Sequence, residues 1–141
     1  MILYLDTSVV VALLTRDIFA ARADALITRR DGDTLCISRW TIPEVSSALA
    51  RLVRMKLIKS VNRDQTITKF EWLRASSLET LSIEEPYFAR AALLVDRSAA
   101  GLRAPDALHL AIAEAAGAAL VTFDDRLAEA AREIGLRVDA L

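Results

Sequence analysis

The 141-residue sequence has a single cysteine, Cys36, and a single histidine, His109. That pair allows no intrachain disulfide and no zinc site built from thiolates and imidazoles. Aromatic residues make up 6% of the chain, too few for a row of stacking platforms along a single strand. Charge of one sign is missing as well: 18 Lys+Arg stand against 19 Asp+Glu, a net charge of -1. This argues against a basic protein that coats nucleic acid, though not against an enzyme that holds one locally. Four glycines and three prolines form no linker, and there is no repeat or block of like charge, so one domain over residues 1–141 is expected. No apolar run reaches the roughly 18–20 residues of a membrane span. The best candidate, Ala107 to Phe123, is interrupted by Glu114 and Gly117. The first apolar run has no basic residue before it and is broken by Asp6, so no signal peptide and a soluble, cytoplasmic protein are expected.

What is present is a 54% hydrophobic composition, ample for a core. Ile2–Leu5 suits a buried strand that runs into a turn at Asp6-Thr7-Ser8. Helical spacing follows through Val10, Leu13 and Leu14, and again from Ala20 to Arg29. Asp31-Gly32-Asp33 marks a turn before a second strand, Thr34–Ser38. Helices are then expected over Thr41–Met55, Arg63–Arg74, Glu84–Ser98, Pro105–Ala116 and Asp124–Ile134. Strands are expected at Leu78–Leu81, Ala119–Thr122 and Leu136–Val138. Short buried strands alternating with longer helices predict an α/β fold with a mainly parallel sheet of about five strands, covered on both faces.

Four carboxylates fall at informative places. Asp6 follows the first strand, Glu44 lies in the first turn of the helix after the second, Asp106 just inside the helix preceding the fourth, and Asp124 just beyond the fourth. In a parallel sheet all four positions lie at the carboxyl edge, where open α/β folds place their crevices. Each acid also has a local explanation. Thr41-Ile42-Pro43-Glu44 matches a capping box, and Thr122-Phe123-Asp124-Asp125 resembles one. Asp106 follows Pro105 at a helix N-terminus, and Asp6 suits an Asx turn. Jointly, however, two carboxylates ~4 Å apart repel by about 4 kcal/mol at an effective dielectric near 20. A helix dipole offsets only ~0.3–1 kcal/mol per acid. The cluster therefore calls for protonation or a cation, and oxygen-only ligands suit Mg²⁺ or Mn²⁺, which can hydrolyse a phosphodiester without a histidine base.

These residues resemble the PIN-domain ribonucleases, especially the VapC toxins of toxin–antitoxin pairs. The resemblance covers essentially the whole chain. It rests on Leu5-Asp6-Thr7-Ser8, Pro43-Glu44-Val45, Pro105-Asp106-Ala107-Leu108-His109-Leu110-Ala111 and Leu120-Val121-Thr122-Phe123-Asp124, in that order. It implies a three-layer α/β/α fold and a metal-dependent endoribonuclease, with Asp6, Glu44, Asp106 and Asp124 around Mg²⁺ or Mn²⁺. Ser8 and Thr122 match the supporting hydroxyl residues, and Asp125 adjoins Asp124 and shares the candidacy for its role. An RNA substrate, a VapB-like antitoxin and a homodimer are the implied partners.

Other residues have competing readings. Arg51, Arg54, Lys56 and Lys59 suit phosphate contacts or, with the edge, a solvated helix face. Val10, Leu13, Leu14 and Leu49, Leu52, Val53 suit antitoxin contact or, for most, core packing. His109 reads as a hydrogen-bonded structural residue, Cys36 as a small buried side chain and Trp40 as an anchor for its helix. An aspartyl phosphatase needs a second aspartate where Ser8 stands, and a receiver domain needs a lysine beyond Lys69, the last in the chain. The remaining alternatives are a non-catalytic PIN-fold module that binds RNA or protein, and a DNA-directed metal nuclease.

Overall fold

The structure is a computed structural model that describes residues 1–15, 18–29, 32–99 and 101–139. In chain order the elements are β1 (Ile2–Leu5), α1 (Thr7–Thr15), α2 (Ala20–Arg29), β2 (Thr34–Ser38), α3 (Thr41–Arg54), α4 (Ser60–Ser76), β3 (Glu79–Leu81), α5 (Glu85–Arg97), α6 (Ala104–Ala115), β4 (Ala119–Val121), α7 (Asp125–Glu133) and β5 (Val138–Asp139). The strands form one sheet in the order β3-β2-β1-β4-β5, and every pairing is parallel.

Side chains on a strand alternate between faces, and β1 shows what this does. Leu3 and Leu5 pack with Val9, Val10, Val45, Leu49 and Phe70, placing α1, α3 and α4 on one face. Tyr4, between them, packs with Leu94, Leu110, Ile112 and Leu127 from α5, α6 and α7 on the other. Two cores separated by the sheet make the three-layer α/β/α arrangement. β1 is its axis: Leu3 is in register with Leu35 of β2 on one side and with Ala119 of β4 on the other. The chain leaves β1 toward β2 and returns later to β4, so the carboxyl end of β1 lies at a topological switch point.

Element ends follow local chemistry. Gly117, with φ +61°, lets the chain turn out of α6, while Ala118 N donates to Ala113 O at 3.0 Å. α3 closes with the same geometry but with Lys56 at φ +58° and Leu57 N donating to Leu52 O at 2.9 Å. α4 starts three residues before the expected Arg63, because Ser60, Val61 and Asn62 continue the helix without adding to its buried stripe, Val61 being exposed. β5 is displaced from the expected Leu136–Val138 to Val138–Asp139, since its pairing with β4 runs from Leu120↔Val138 to Val121↔Asp139. The turn expected at Asp31-Gly32-Asp33 lies partly outside the described residues, at Asp31. Among the described residues, no helix is long and apolar enough to cross a membrane.

Candidate functional site

Asp6 ends β1, and its backbone N–H donates to Val121 O at 3.1 Å, which docks the residue against β4. Its side chain is only 5% exposed. Such a carboxylate needs donors, and the neighbouring sequence supplies them. Ser8 Oγ donates to Oδ1 at 2.6 Å and Val9 N to the same atom at 3.2 Å, the Asx-type arrangement expected at a strand-to-helix turn. Thr122 Oγ1 donates to Oδ2 at 2.8 Å. Burial raises the pKa of Asp6, and the Ser8 and Thr122 hydrogen bonds offset only part of that rise.

The hydroxyls supporting Asp6 also hold the Asp124 loop. Phe123 N donates to Ser8 Oγ at 3.0 Å and Asp124 N to Thr122 Oγ1 at 2.9 Å. Asp124 is the cap of α7: its Oδ1 accepts from Arg126 N at 2.9 Å and from Leu127 N at 3.1 Å. The capping box suggested for Thr122 and Asp125 therefore does not form, because Thr122 is committed to Asp6 and Asp124 satisfies the helix amides. Asp125 sits in the first turn of α7, exposed, beside Asp124.

Glu44 departs from its capping-box reading too. Trp40 occupies the cap position of α3 with no side-chain cap bond. The Glu44 carboxylate turns instead toward other elements: Oε2 accepts from Thr7 Oγ1 and lies 2.6 Å from His109 Nε2. Burial works against its ionisation, but the hydrogen bond and charge of His109, with the Thr7 bond, outweigh it and lower the Glu44 pKa.

Asp106 is in the first turn of α6, half-buried, with no hydrogen bond or salt bridge among the described residues. Its pKa is raised by burial first and then by the negative charge of Asp124; His109 pulls it back down, Glu44 adds a smaller push upward and Arg103 a smaller one downward, and the net shift is a rise.

Glu44, Asp106, Asp124 and Asp125 line one cleft of about 690 Å³, while Asp6 stands behind the lining, tied to it through Thr122. Arg51, Arg54, Arg103 and Arg126 line the same cleft and form no salt bridge among the described residues. The topology thus brings the four expected carboxylates to one edge of the sheet. They are not closed into a cage: among the described residues, no three His, Cys, Asp or Glu side chains stand together as ligands of one metal ion.

A family model described as PIN domain matches residues 3–133. The chain belongs to the PIN-domain family. Ribonuclease VapC46 of Mycobacterium tuberculosis is 33% identical over 141 residues, covering 98% of this chain and 96% of that protein. Among solved structures, VapC20 of Mycobacterium tuberculosis, a sarcin-ricin loop cleaving toxin, superposes with a TM-score of 0.73 at 16% identity over 91% of this chain and 94% of that one. VapBC2 from Rickettsia felis, bound to a DNA fragment from their promoter, gives a TM-score of 0.71 at 19% identity over 99% and 98%. At those identities the likeness is one of fold, and the PIN-like α/β/α arrangement of this chain agrees with it.

Sequence reasoning missed several residues of this PIN-domain cleft. Thr7 adjoins Asp6 in sequence but serves Glu44, 37 residues away. Arg103 and Arg126 carried no signal beyond their closeness to Asp106 and Asp124. Arg51 and Arg54 are exposed on the last turn of α3, as the solvated-face reading has it, and also line the cleft, whereas Lys56 and Lys59 are not among its lining residues. The apolar residues weighed for partner contact are mostly core: Val10, Leu14 and Leu49 are buried, with Leu13 and Leu52 packed against them. Cys36 is buried on β2, its thiol pushed up to about 12 by burial, with Glu79 adding to the rise.

Proposed function

We propose that this protein is a divalent-metal-dependent endoribonuclease, the toxin of a VapBC-type pair, with Asp6, Glu44, Asp106 and Asp124 as its metal-holding residues. The observation that carries the proposal is the Asp106 carboxylate. It is half-buried and repelled by Asp124 and Glu44, in a cleft rimmed by four arginines that form no salt bridge among the described residues. His109 and Arg103 offset that repulsion only in part, and charge left partly uncompensated inside a fold points to a cation from outside it. The donor set fits Mg²⁺ or Mn²⁺, because every candidate ligand is a carboxylate oxygen and such ions keep several waters instead of requiring a closed protein cage. When bound, the ion supplies an acidified water for attack on phosphorus and charge to offset the phosphate oxygens.

The chain's own residues prepare that chemistry. Ser8 and Thr122 hold the Asp6 carboxylate in one orientation, and the α7 amides do the same for Asp124. Thr7 and His109 fix Oε2 of Glu44. Arg51, Arg54, Arg103 and Arg126 line the cleft and in this reading bind phosphates of an RNA strand, which positions the backbone without reading its sequence. Asp125 adds negative charge beside Asp124 in support. The VapBC likeness supports a VapB-like antitoxin as partner. We take the protein to act in the cytoplasm as a single catalytic domain that forms homodimers.

Purified protein freed of antitoxin is expected to cleave RNA in Mg²⁺ or Mn²⁺, to stop in EDTA, and to lose cleavage on Asp6→Asn. Matched RNA and DNA substrates separate the ribonuclease from a DNA-directed enzyme. RNA binding without metal-dependent cleavage identifies a non-catalytic module and overturns the proposal.

A further inference from the structure

Glu44 is oriented by a side chain that does not line the cleft. His109 lies one helical turn beyond Asp106 on α6 and is 2% exposed. Its Nε2 is 2.6 Å from Glu44 Oε2, and its Nδ1 is 2.7 Å from Tyr4 Oη. An ionised carboxylate only accepts, so Nε2 carries a proton and donates it to Glu44. Tyr4, fully buried, donates from its hydroxyl to Ser38 Oγ at 2.9 Å. Ser38 Oγ also accepts from Trp40 N at 3.2 Å, at the start of the helix that carries Glu44. One hydrogen-bonded chain thus joins the ends of β1 and β2 to α6 and α3. It meets the candidate site at Oε2, where Thr7 also bonds, while the Trp40 side chain is a further group that favours the ionised Glu44 carboxylate.

Packing alone does not call for this arrangement, since an apolar side chain would fill the space between α6 and β1 without two buried polar nitrogens to satisfy. We propose that His109, braced by Tyr4, is a positioning residue of the nuclease: it pins Glu44 through Oε2 and thereby presents Oε1 as the ligand and reaction-facing oxygen. The proposal rests on the metal-nuclease reading above. It assigns His109 the part that a hydrogen-bond partner plays behind a metal-ligating carboxylate.

Because the chain has one histidine, its ring N–H signals are unambiguous in a proton–nitrogen NMR spectrum. An exchange-protected Nε2–H resonance is expected, shifted by Glu44→Gln. His109→Phe keeps the volume but loses both bonds, His109→Gln keeps a donor near the Nε2 position, and Tyr4→Phe loses only the brace. With folding checked by circular dichroism, His109→Phe is expected to weaken Mn²⁺ binding and lower kcat by about 10–100-fold with KM changed by less than about twofold. His109→Gln should recover part of both losses, and Tyr4→Phe should show a smaller loss of the same kind. A folded His109→Phe protein with wild-type Mn²⁺ affinity and kcat overturns the proposal. So does a His109→Gln protein as impaired as His109→Phe, or an Nε2–H signal indifferent to Glu44→Gln. Wild-type protein that neither binds Mn²⁺ nor cleaves RNA overturns the nuclease reading instead, and with it the catalytic part of this assignment, while the Nε2–H response still judges the hydrogen bond itself.

Discussion

Replacing Thr122 with valine removes one oxygen from the fold and leaves the side chain's branching and volume nearly unchanged. That oxygen makes two bonds: it donates to Asp6 Oδ2 at 2.8 Å and accepts from Asp124 N at 2.9 Å. A hydrogen bond to a charged group contributes about 1.5–3 kcal/mol net, and an orphaned backbone N–H costs ~1–3 kcal/mol where water cannot reach it. Asp124 is exposed, so water can solvate its freed N–H and the second figure is discounted heavily. The expected loss is about 2–3 kcal/mol in EDTA at neutral pH, a large share of the ~5–15 kcal/mol typical of a domain. The loss is also expected to depend on pH. Asp6 already has a raised pKa in the folded state, and losing the Thr122 donor raises it further. A carboxyl with a raised folded pKa favours the folded state while protonated and loses that contribution as pH rises through the folded value. The gap between Thr122→Val and wild type should therefore widen from pH 4 toward pH 8. Urea denaturation across that range measures it, and a double-mutant cycle with Asp6→Asn isolates the Thr122–Asp6 term. A loss below about 1 kcal/mol at neutral pH, or strict additivity in the cycle, refutes the claim that Thr122, alongside Ser8, helps make an ionised Asp6 tolerable.

Asp106→Asn should separate stability from activity, abolishing cleavage while stabilising the metal-free protein at pH 7 by about 1 kcal/mol, because relief of the burial cost and of repulsion by Asp124 and Glu44 exceeds the lost attraction to His109 and Arg103. That advantage should vanish as pH falls below the ordinary aspartate range, and no stabilisation in EDTA at pH 7 counts against the uncompensated-charge argument. Arg51→Ala with Arg54→Ala should weaken RNA binding across sequences and reduce the log–log salt slope by about 0.7 for each phosphate no longer neutralised, measured by fluorescence anisotropy; an unchanged slope removes these residues from the RNA path. Lys56→Gly, at φ +58°, should stabilise the protein by roughly 0.5–1 kcal/mol in thermal or urea melts, with destabilisation as the contrary result.

Much of the scaffold was legible because its signals are local. Runs such as Ile2–Leu5 and Thr34–Ser38 are short, apolar and bounded by turn residues, and both strands form over those same residues. The gathering of Asp6, Glu44, Asp106 and Asp124 at one edge followed from α/β topology alone. What escaped was the partner of each side chain. Glu44 in a Thr-x-x-Glu pattern looks like a cap, and only the proximity of Thr7 and His109, 37 and 65 residues distant, turns it away from its own helix. Asp124 rather than Thr122 caps α7 for the same reason, since the hydroxyl is already claimed by an aspartate 116 positions earlier. Periodicity also placed the start of α4 late, because an exposed first turn adds nothing to an apolar stripe.

The central place of β1 bears on when this cleft can exist during synthesis. Asp6 emerges from the ribosome 116 residues before Thr122, which supplies the donor to its Oδ2 and, with Phe123 and Asp124, the bonds that align the neighbouring loop. At roughly 5–20 residues per second, translation leaves Asp6 waiting several seconds for those partners. Because β4 must dock against β1 before the edge is complete, a truncated or stalled chain carries Asp6 and Glu44 without the groups that arm them. A nuclease assembled on this plan stays unarmed until β4 and the Thr122–Asp124 loop have been made and docked against β1.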